Sequence, residues 1–297
     1  MLNWLKFNNL IISNIFVEPL DIFPFLSEIK PELDFIESRI FSAELVTLVA
    51  EPKLGQLISL SFIEASFLDN GILYNRKLVE NIDDFKHTGE NLCIYFCGQS
   101  NLRDSEIRIT PKELSVELGQ DKTPRVGKLD IVGMSACLAL MIGGERVENL
   151  LVLILAGNWL DSNLDYTYDP VFTSLRDSLK SEGFVSIVSI GEVNEPDLME
   201  LPGINSIELN LLRSEWSKID LNEQSTRLSN LVKPLLTTSI GVARLEELIW
   251  HRIVVHGWDV DLASQFSRAQ RELTSSSNKL VSASRLIDSI IVNGYIN

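Results

Sequence analysis

Three thiols and one amide carry the first chemical question in this 297-residue sequence. Cys93 and Cys97 lie in the apolar run NLCIYFCGQS, which closes on Gly98, Gln99 and Ser100, and Cys137 lies in KLDIVGMSACLALMIGG. An ionised thiol is a nucleophile or metal ligand, whereas a neutral one packs as a small hydrophobe. On a strand, Cys93 and Cys97 point to one face, and four residues of rise separate them by roughly 13 Å. A disulfide needs Cα atoms about 4.4 to 6.8 Å apart, so this pair neither bonds nor shares a metal, and both are expected to fill a core. Cys137 differs. It follows LDIVGM, read as a buried strand, and open parallel sheets gather their sites beyond the C-terminal strand ends.

A second constellation is DSNLDYTYD, which places Asp161, Asn163, Asp165, Thr167 and Asp169 at every second position. Calcium loops of the EF-hand type use that spacing, which makes Asp161, Asn163, Asp165 and Asp169 candidate metal ligands. Tyr166 stands where such loops turn on glycine, and Phe172 where they need a bidentate glutamate. The same alternation marks an exposed edge strand or solvated loop, the first reading here. Histidine is scarce: His87, His251 and His256 are the whole set. The last two are placed in a C-terminal helix about 140° apart, so they share no face. No glycine-rich phosphate loop, zinc-ligand spacing or serine nucleophile elbow is present, and no cofactor is expected.

The elements that would position these residues read as α/β. Residues 9 to 67 alternate short apolar runs with polar breaks (NLIISNIFV, the Pro-punctuated FPFLSEIKPELDFI, SAELVTLVA and GQLISLSFIEASF), a pattern that suggests strands around one short helix. ILYNRKLVENIDDF suggests a helix feeding the strand at 91 to 97, RDSEIRITP a half-exposed strand, and GQDKTPRVGK a turn-rich connection. LDIVGM, NLLVLILAG and GFVSIVSIG are continuous apolar runs bounded by glycine, expected of strands buried on both faces of a parallel sheet. Residues 91 to 97, 129 to 134, 150 to 156 and 184 to 190 are therefore expected to be adjacent buried strands. Between the last two, DPVFTSLRDSLKSEG has Asp169 and Pro170 at a helix start and Gly183 after its end, completing a strand–helix–strand unit. The expected fold is α/β: a mixed, centrally parallel sheet flanked by helices, caspase-like or Rossmann-like, over residues 1–195. A linker at 193 to 206 and a strand at SIELNLL lead into a mainly helical segment, 207–297. There Leu262, Phe266, Ala269 and Leu273 make one stripe, Asp259 or Asp261 is the cap candidate, and SSSN breaks it from a second stripe of Val281, Ile287 and Ile291.

IYFCGQS at 94 to 100 and IVGMSAC at 131 to 137 resemble two signatures of the CHAT branch of caspase-like cysteine peptidases. In that family one strand ends in a small residue and the catalytic histidine, and a second ends in Ser-Ala-Cys, whose cysteine is the nucleophile. VLILAGNWLDS is similar to the next family strand, which often ends in tryptophan and an acidic loop. The resemblance covers residues 72 to 190 and implies that Cys137 occupies the nucleophile position. Gln99 occupies the histidine position, and the segment between Cys137 and Trp159 is shorter than usual for the family. Glutamine cannot take a proton near neutral pH, so a Cys137 thiol would lack its general base.

Composition sets the outer limits. With 45% hydrophobic and 23% charged residues the chain is globular rather than disordered. The net charge of −15 repels phosphate backbones and anionic lipid, so general nucleic-acid binding is not expected. Three cysteines suit a reducing, cytoplasmic compartment. MLNWLKFNNLIISNIF is interrupted by Lys6 and four asparagines and reads as mature sequence. The apolar region 129 to 160 is broken by Gly143, Gly144, Glu145, Arg146 and Glu148 into pieces too short for the ~30 Å hydrocarbon layer, so membrane insertion is not expected. These observations point to a non-catalytic protein-interaction or regulatory protein with a protein partner. Two alternatives stand beside it: a cysteine hydrolase using Cys137, and a small-ligand or divalent-metal-binding protein using the 161–169 loop.

Overall fold

The computed structural model describes residues 22–99, 101–119, 122–160, 169–199, 201, 203–237 and 241–296. Helix α1 (Lys30–Ser42) leads into strand β1 (Val46–Ala50), followed by α2 (Leu54–Asn70), β2 (Tyr74–Leu78), β3 (Leu92–Tyr95) and β4 (Glu106–Arg108). A hairpin of β5 (Lys112–Leu118) and β6 (Thr123–Leu129) precedes α3 (Ile131–Ile142), α4 (Glu145–Leu150), a 3-10 run over Leu151–Leu155, α5 (Ala156–Leu160) and α6 (Pro170–Ser181). The remainder is β7 (Ser186–Val188), α7 (Ser206–Glu215), α8 (Leu221–Val232), α9 (Val242–Trp250), β8 (Arg252–Val254), α10 (Leu262–Ser275) and α11 (Lys279–Asn293).

The central sheet has the order β2-β1-β3-β4, all parallel, with Val46 level with Tyr74 and Leu92, and Cys93 level with Glu106. This is the α/β class read from the sequence, a parallel sheet flanked by helices and followed by helical C-terminal sequence. Period-two alternation sorts its side chains. Val46, Leu48, Ala50, Leu92, Ile94 and Phe96 enter the main core under α2, while Val49, Cys93 and Tyr95 turn to a smaller cluster around Ile82. The main core continues through Leu153, Phe172, Leu248, Phe266 and Ile287.

Several strand assignments are corrected. Residues 131–142 form α3, and residues 151–155 form a 3-10 run leading into α5. An apolar run fits a strand buried on both faces or a helix buried all round, and a dozen residues is helical length. GQLISLSFIEASF is likewise helical, within α2, whose residues 56–67 are buried on every side. ILYNRKL, expected to be helix, is β2, with alternating partly exposed and exposed residues typical of a sheet edge. β7 is a strand, but it is exposed or half-buried rather than buried and pairs antiparallel with β8 outside the parallel sheet, so the strand–helix–strand unit around α6 does not exist. Residues 123–128 of GQDKTPRVGK, expected to be a connection, belong to β6, and SIELNLL lies in α7.

Two polar networks lock the helical layer. Glu64 on α2 is fully buried and accepts from Tyr74 Oη at 3.1 Å and Arg76 Nε at 2.6 Å, while Arg76 Nη2 reaches Asp288 on α11 at 2.7 Å. Arg252 Nε lies 2.9 Å from Asp261 Oδ2, both residues 1% exposed, and its Nη2 donates to Ser264 Oγ at 2.9 Å. The segment between β7 and α7 is tied to α10: Asp197 N donates to Ser264 Oγ at 2.7 Å and its carboxylate meets Arg271 at 3.0 Å. No helix among the described residues is long and apolar enough to cross a membrane.

Candidate functional site

Cys137 sits in the middle of α3, not at a strand end. Asp130 caps that helix, its Oδ1 accepting from Val132 N at 2.7 Å and Gly133 N at 3.0 Å. The desolvated surroundings push the Asp130 carboxyl up to about 6, against the pull of those two amides. Cys137 has no exposed surface, and burial pushes its thiol up, with the nearby Asp130 carboxylate adding to the shift. Gln99 lies just beyond β3 and is exposed, its backbone N–H donating to Asp83 Oδ1 at 2.7 Å. One residue of the resemblance-derived pair is therefore open to solvent and the other is sealed.

Of the loop candidates, Asp161, Asn163 and Asp165 fall outside the described residues. Asp169 is the N-cap of α6, as its position before Pro170 suggests: Oδ1 accepts from Val171 N at 2.8 Å and Phe172 N at 3.2 Å, and Oδ2 from Lys128 N at 2.8 Å. Both oxygens are thus spent on backbone amides that join β6 to α6. Among the described residues no three His, Cys, Asp or Glu side chains converge to hold a metal ion. His251 is the C-cap of α9, its Nδ1 3.5 Å from Glu247 Oε1, and exposed His256 lies between β8 and α10, so the two do not share a helix.

The C-terminal ends of β1 and β3 are adjacent, and the connections β1 to β2 and β3 to β4 run in opposite directions along the sheet, which makes this the topological switch point where parallel sheets form crevices. After β1, Lys53 Nζ meets Glu51 Oε2 at 2.5 Å, and Glu51 Oε1 accepts from Ile82 N at 3.0 Å. Burial acts to raise the Glu51 pKa, but Lys53, the Ile82 amide and Gln56 outweigh it and the carboxyl ends up lowered. The hydrogen bond to Glu51 raises Lys53, whose ammonium also senses Cys97 and Asp83. After β3, Cys97 takes φ 109° and Gly98 φ 105°. Positive φ at a non-glycine residue is strained, and here it swings Cys97 out of the sheet into solvent. Cys97 therefore leaves the core expected for it beside Cys93. EPKLG, the strand-to-helix turn that brings Lys53 to these strand ends, carries no motif that marks it in the sequence.

A group of exposed apolar side chains lies elsewhere, across α7, α8, α9 and the turn between the last two. Ile207, Leu211, Leu221, Leu236, Val242 and Trp250 are between 38% and 81% exposed. Leu211, Leu212 and Leu231 line one groove between α7 and α8. On the other side of the last turn of α8, Val232, Leu236, Val242, Ile249 and Trp250 line a second groove of about 280 Å³. No protein-family model matches the chain, and no curated protein matches its sequence.

Proposed function

We propose that this chain is a non-catalytic protein-interaction or regulatory protein built on the α/β scaffold. The observation that carries the reading is the exposed apolar face of α7–α9, since solvent-facing apolar patches of this kind mark interaction sites. A sealed Cys137 agrees with it: a nucleophile needs access and an activating base. The net charge of −15 favours a protein partner over a phosphate backbone, and three free thiols suit a reducing, cytoplasmic setting. Kinship with caspase-like peptidases rests on IYFCGQS at the end of β3, because the other signature, IVGMSAC, is helical.

The test is a photo-crosslinking residue placed at exposed Leu236 of the full-length protein expressed in cells. The expected result is one dominant crosslinked protein species that vanishes when the crosslinker is moved to exposed Glu113 on β5. Crosslinking to no protein at all overturns the reading. Labelling of Cys137 by an activity-based thiol probe in the native protein would restore the hydrolase alternative.

A further inference from the structure

We propose that the open edge of the parallel sheet pairs with the same edge of a second copy of this chain, β2 against β2 in antiparallel register, with α11 lying against α11 beside it. The inference goes beyond the interaction reading above and uses a different surface.

The occupant's chemistry is set by a row of main-chain groups. β2 ends the sheet, and its register with β1 fixes which way each peptide points. Val46 N donates to Leu73 O and Val79 N to Ala50 O, both at 3.0 Å, so by the alternation of a strand the backbone groups of Leu73, Asn75, Lys77 and Val79 turn toward β1. Those of Tyr74, Arg76 and Leu78 turn outward, where their N–H and C=O groups meet no hydrogen-bond partner among the described residues. What complements such a row is another extended backbone.

The symmetry of the row selects a second copy. The outward residues are centred on Arg76, so antiparallel pairing about a two-fold axis sets Arg76 opposite Arg76 and Tyr74 opposite Leu78 as hydrogen-bonded pairs, with Asn75 opposite Lys77 between them. Tyr74 and Leu78 both pack against the main core, and their contact carries that core across the axis. Asn75 and Lys77 are exposed, and this register sets each lysine against an asparagine rather than another lysine. The two Arg76 side chains make the like-charged pair at the centre, and each arrives with its charge already matched by its own Glu64 and Asp288.

Helix α11 requires the same axis. Val281, Arg285, Asp288 and Val292 recur at helical spacing and form its exposed stripe, the two valines 43% and 81% exposed, while Ala283, Leu286, Ile287 and Ile290 are buried. Arg76 ties the middle of this helix to the edge strand, its Nη1 donating to Ser284 Oγ at 2.8 Å and its Nη2 to Asp288 Oδ1 at 2.7 Å. An axis at Arg76 thus runs past the middle of the stripe. The antiparallel α11 pair it generates sets Val281 opposite Val292 of the second copy and Arg285 opposite its Asp288, apolar against apolar and cation against anion. Strand and helix are each self-complementary about one point, and Arg76 joins the two points.

The experiment is sedimentation velocity of the purified full-length chain over a concentration series up to ~100 µM, a range that reports dimers well into the weak regime. The expected species is twice the 33.4 kDa chain. Arg285→Glu, at an exposed position, sets like charges opposite each other in the helix pair and should weaken the dimer by at least ~10-fold. A second measurement tests the register. In a Cys97→Ser background, Asn75→Cys and Lys77→Cys chains are mixed and mildly oxidised; Cα atoms in a non-hydrogen-bonded antiparallel pair lie about 4.5 Å apart, within disulfide reach. Peptide mass spectrometry should find residue 75 of one chain joined to residue 77 of the other, well above the symmetric product that either variant forms alone. A wild-type chain that stays monomeric overturns the proposal. A dimer indifferent to Arg285→Glu, or thiols that join without preference for 75 to 77, places the interface elsewhere and overturns it equally. The Leu236 crosslinking result bears only on the α7–α9 face, so the two readings fail separately.

Discussion

The carboxylate of Asp130 fills the space where Gly157 would carry a side chain: a Cβ on residue 157 would lie 1.8 Å from Oδ1. The start of α5 can approach the cap of α3 only because residue 157 has none. Gly157→Ala must therefore displace Asp130 or shift α5. Overpacking of this kind costs about 1–3 kcal/mol, and a displaced cap adds about 1 kcal/mol. Urea unfolding measures the sum. In an Asp130→Gly background the penalty of Gly157→Ala should largely disappear, and a full penalty there would show that the two positions are not coupled.

The same carboxylate makes stability depend on pH. Its pKa rises on folding from the ordinary 3.8 to about 6, so the folded state holds the proton more tightly. The sign follows: the contribution favours folding in acid and is lost as pH rises from about 4 through 6. Asp130→Asn keeps a side-chain oxygen for Val132 N and Gly133 N but removes the charge. Relative to wild type, this variant should gain on the order of 2 kcal/mol between pH 4 and pH 7, measured by chemical unfolding at each pH. A pH-independent difference would mean that the carboxylate is well solvated in the folded protein.

The α/β class is carried by VTLVA, NLCIY and EIR, short runs that do form strands of the parallel sheet, and not by LDIVGM, NLLVLILAG and GFVSIVSIG, from which that sheet was expected; the helix cap at Asp169 was legible in local pattern, and that at Asp261 as one of two candidates. The strand assignments failed where burial is complete. A segment with no exposed face has no period, so α2 and α3 look in sequence like interior strands; length, and Asp130 as a cap before residue 131, were the usable signals. The candidate site was less legible. The position of Cys97 depends on its positive φ, and the site at the sheet edge depends on strand order, neither of which is written in local pattern.

Arg252 and Asp261 form an ion pair with almost no solvent contact, joining β8 to the start of α10. Such pairs are costly to break because the surviving charge stays buried. Asp261→Ala should destabilise by about 3–5 kcal/mol, whereas the joint replacement Arg252→Met with Asp261→Leu should cost far less. Thermal unfolding of the two variants side by side decides it. An Asp261→Ala cost below ~1 kcal/mol would show that water reaches Arg252 in the folded protein.

The three thiols should react in an order opposite to the one their sequence contexts suggest. Cys97 is exposed at the sheet edge, on a backbone strained outward, and close enough to Lys53 to influence that ammonium. Cys93 is buried between strands, where burial pushes its thiol up to about 11, and Cys137 is sealed within α3. Thiolate is the reacting species, so the two buried groups are protected twice, by access and by protonation. Iodoacetamide at neutral pH should modify Cys97 in the native protein, while Cys93 and Cys137 react only as fast as the molecule unfolds; peptide mass spectrometry resolves the sites. Replacing Gln99 with histidine adds a base at an exposed position that Cys137 cannot reach, so the Cys137 profile should stay unchanged with pH. Rapid native labelling of Cys137, or its acceleration in the Gln99→His variant, would place that thiol in an open site and return Cys137 to contention as a nucleophile.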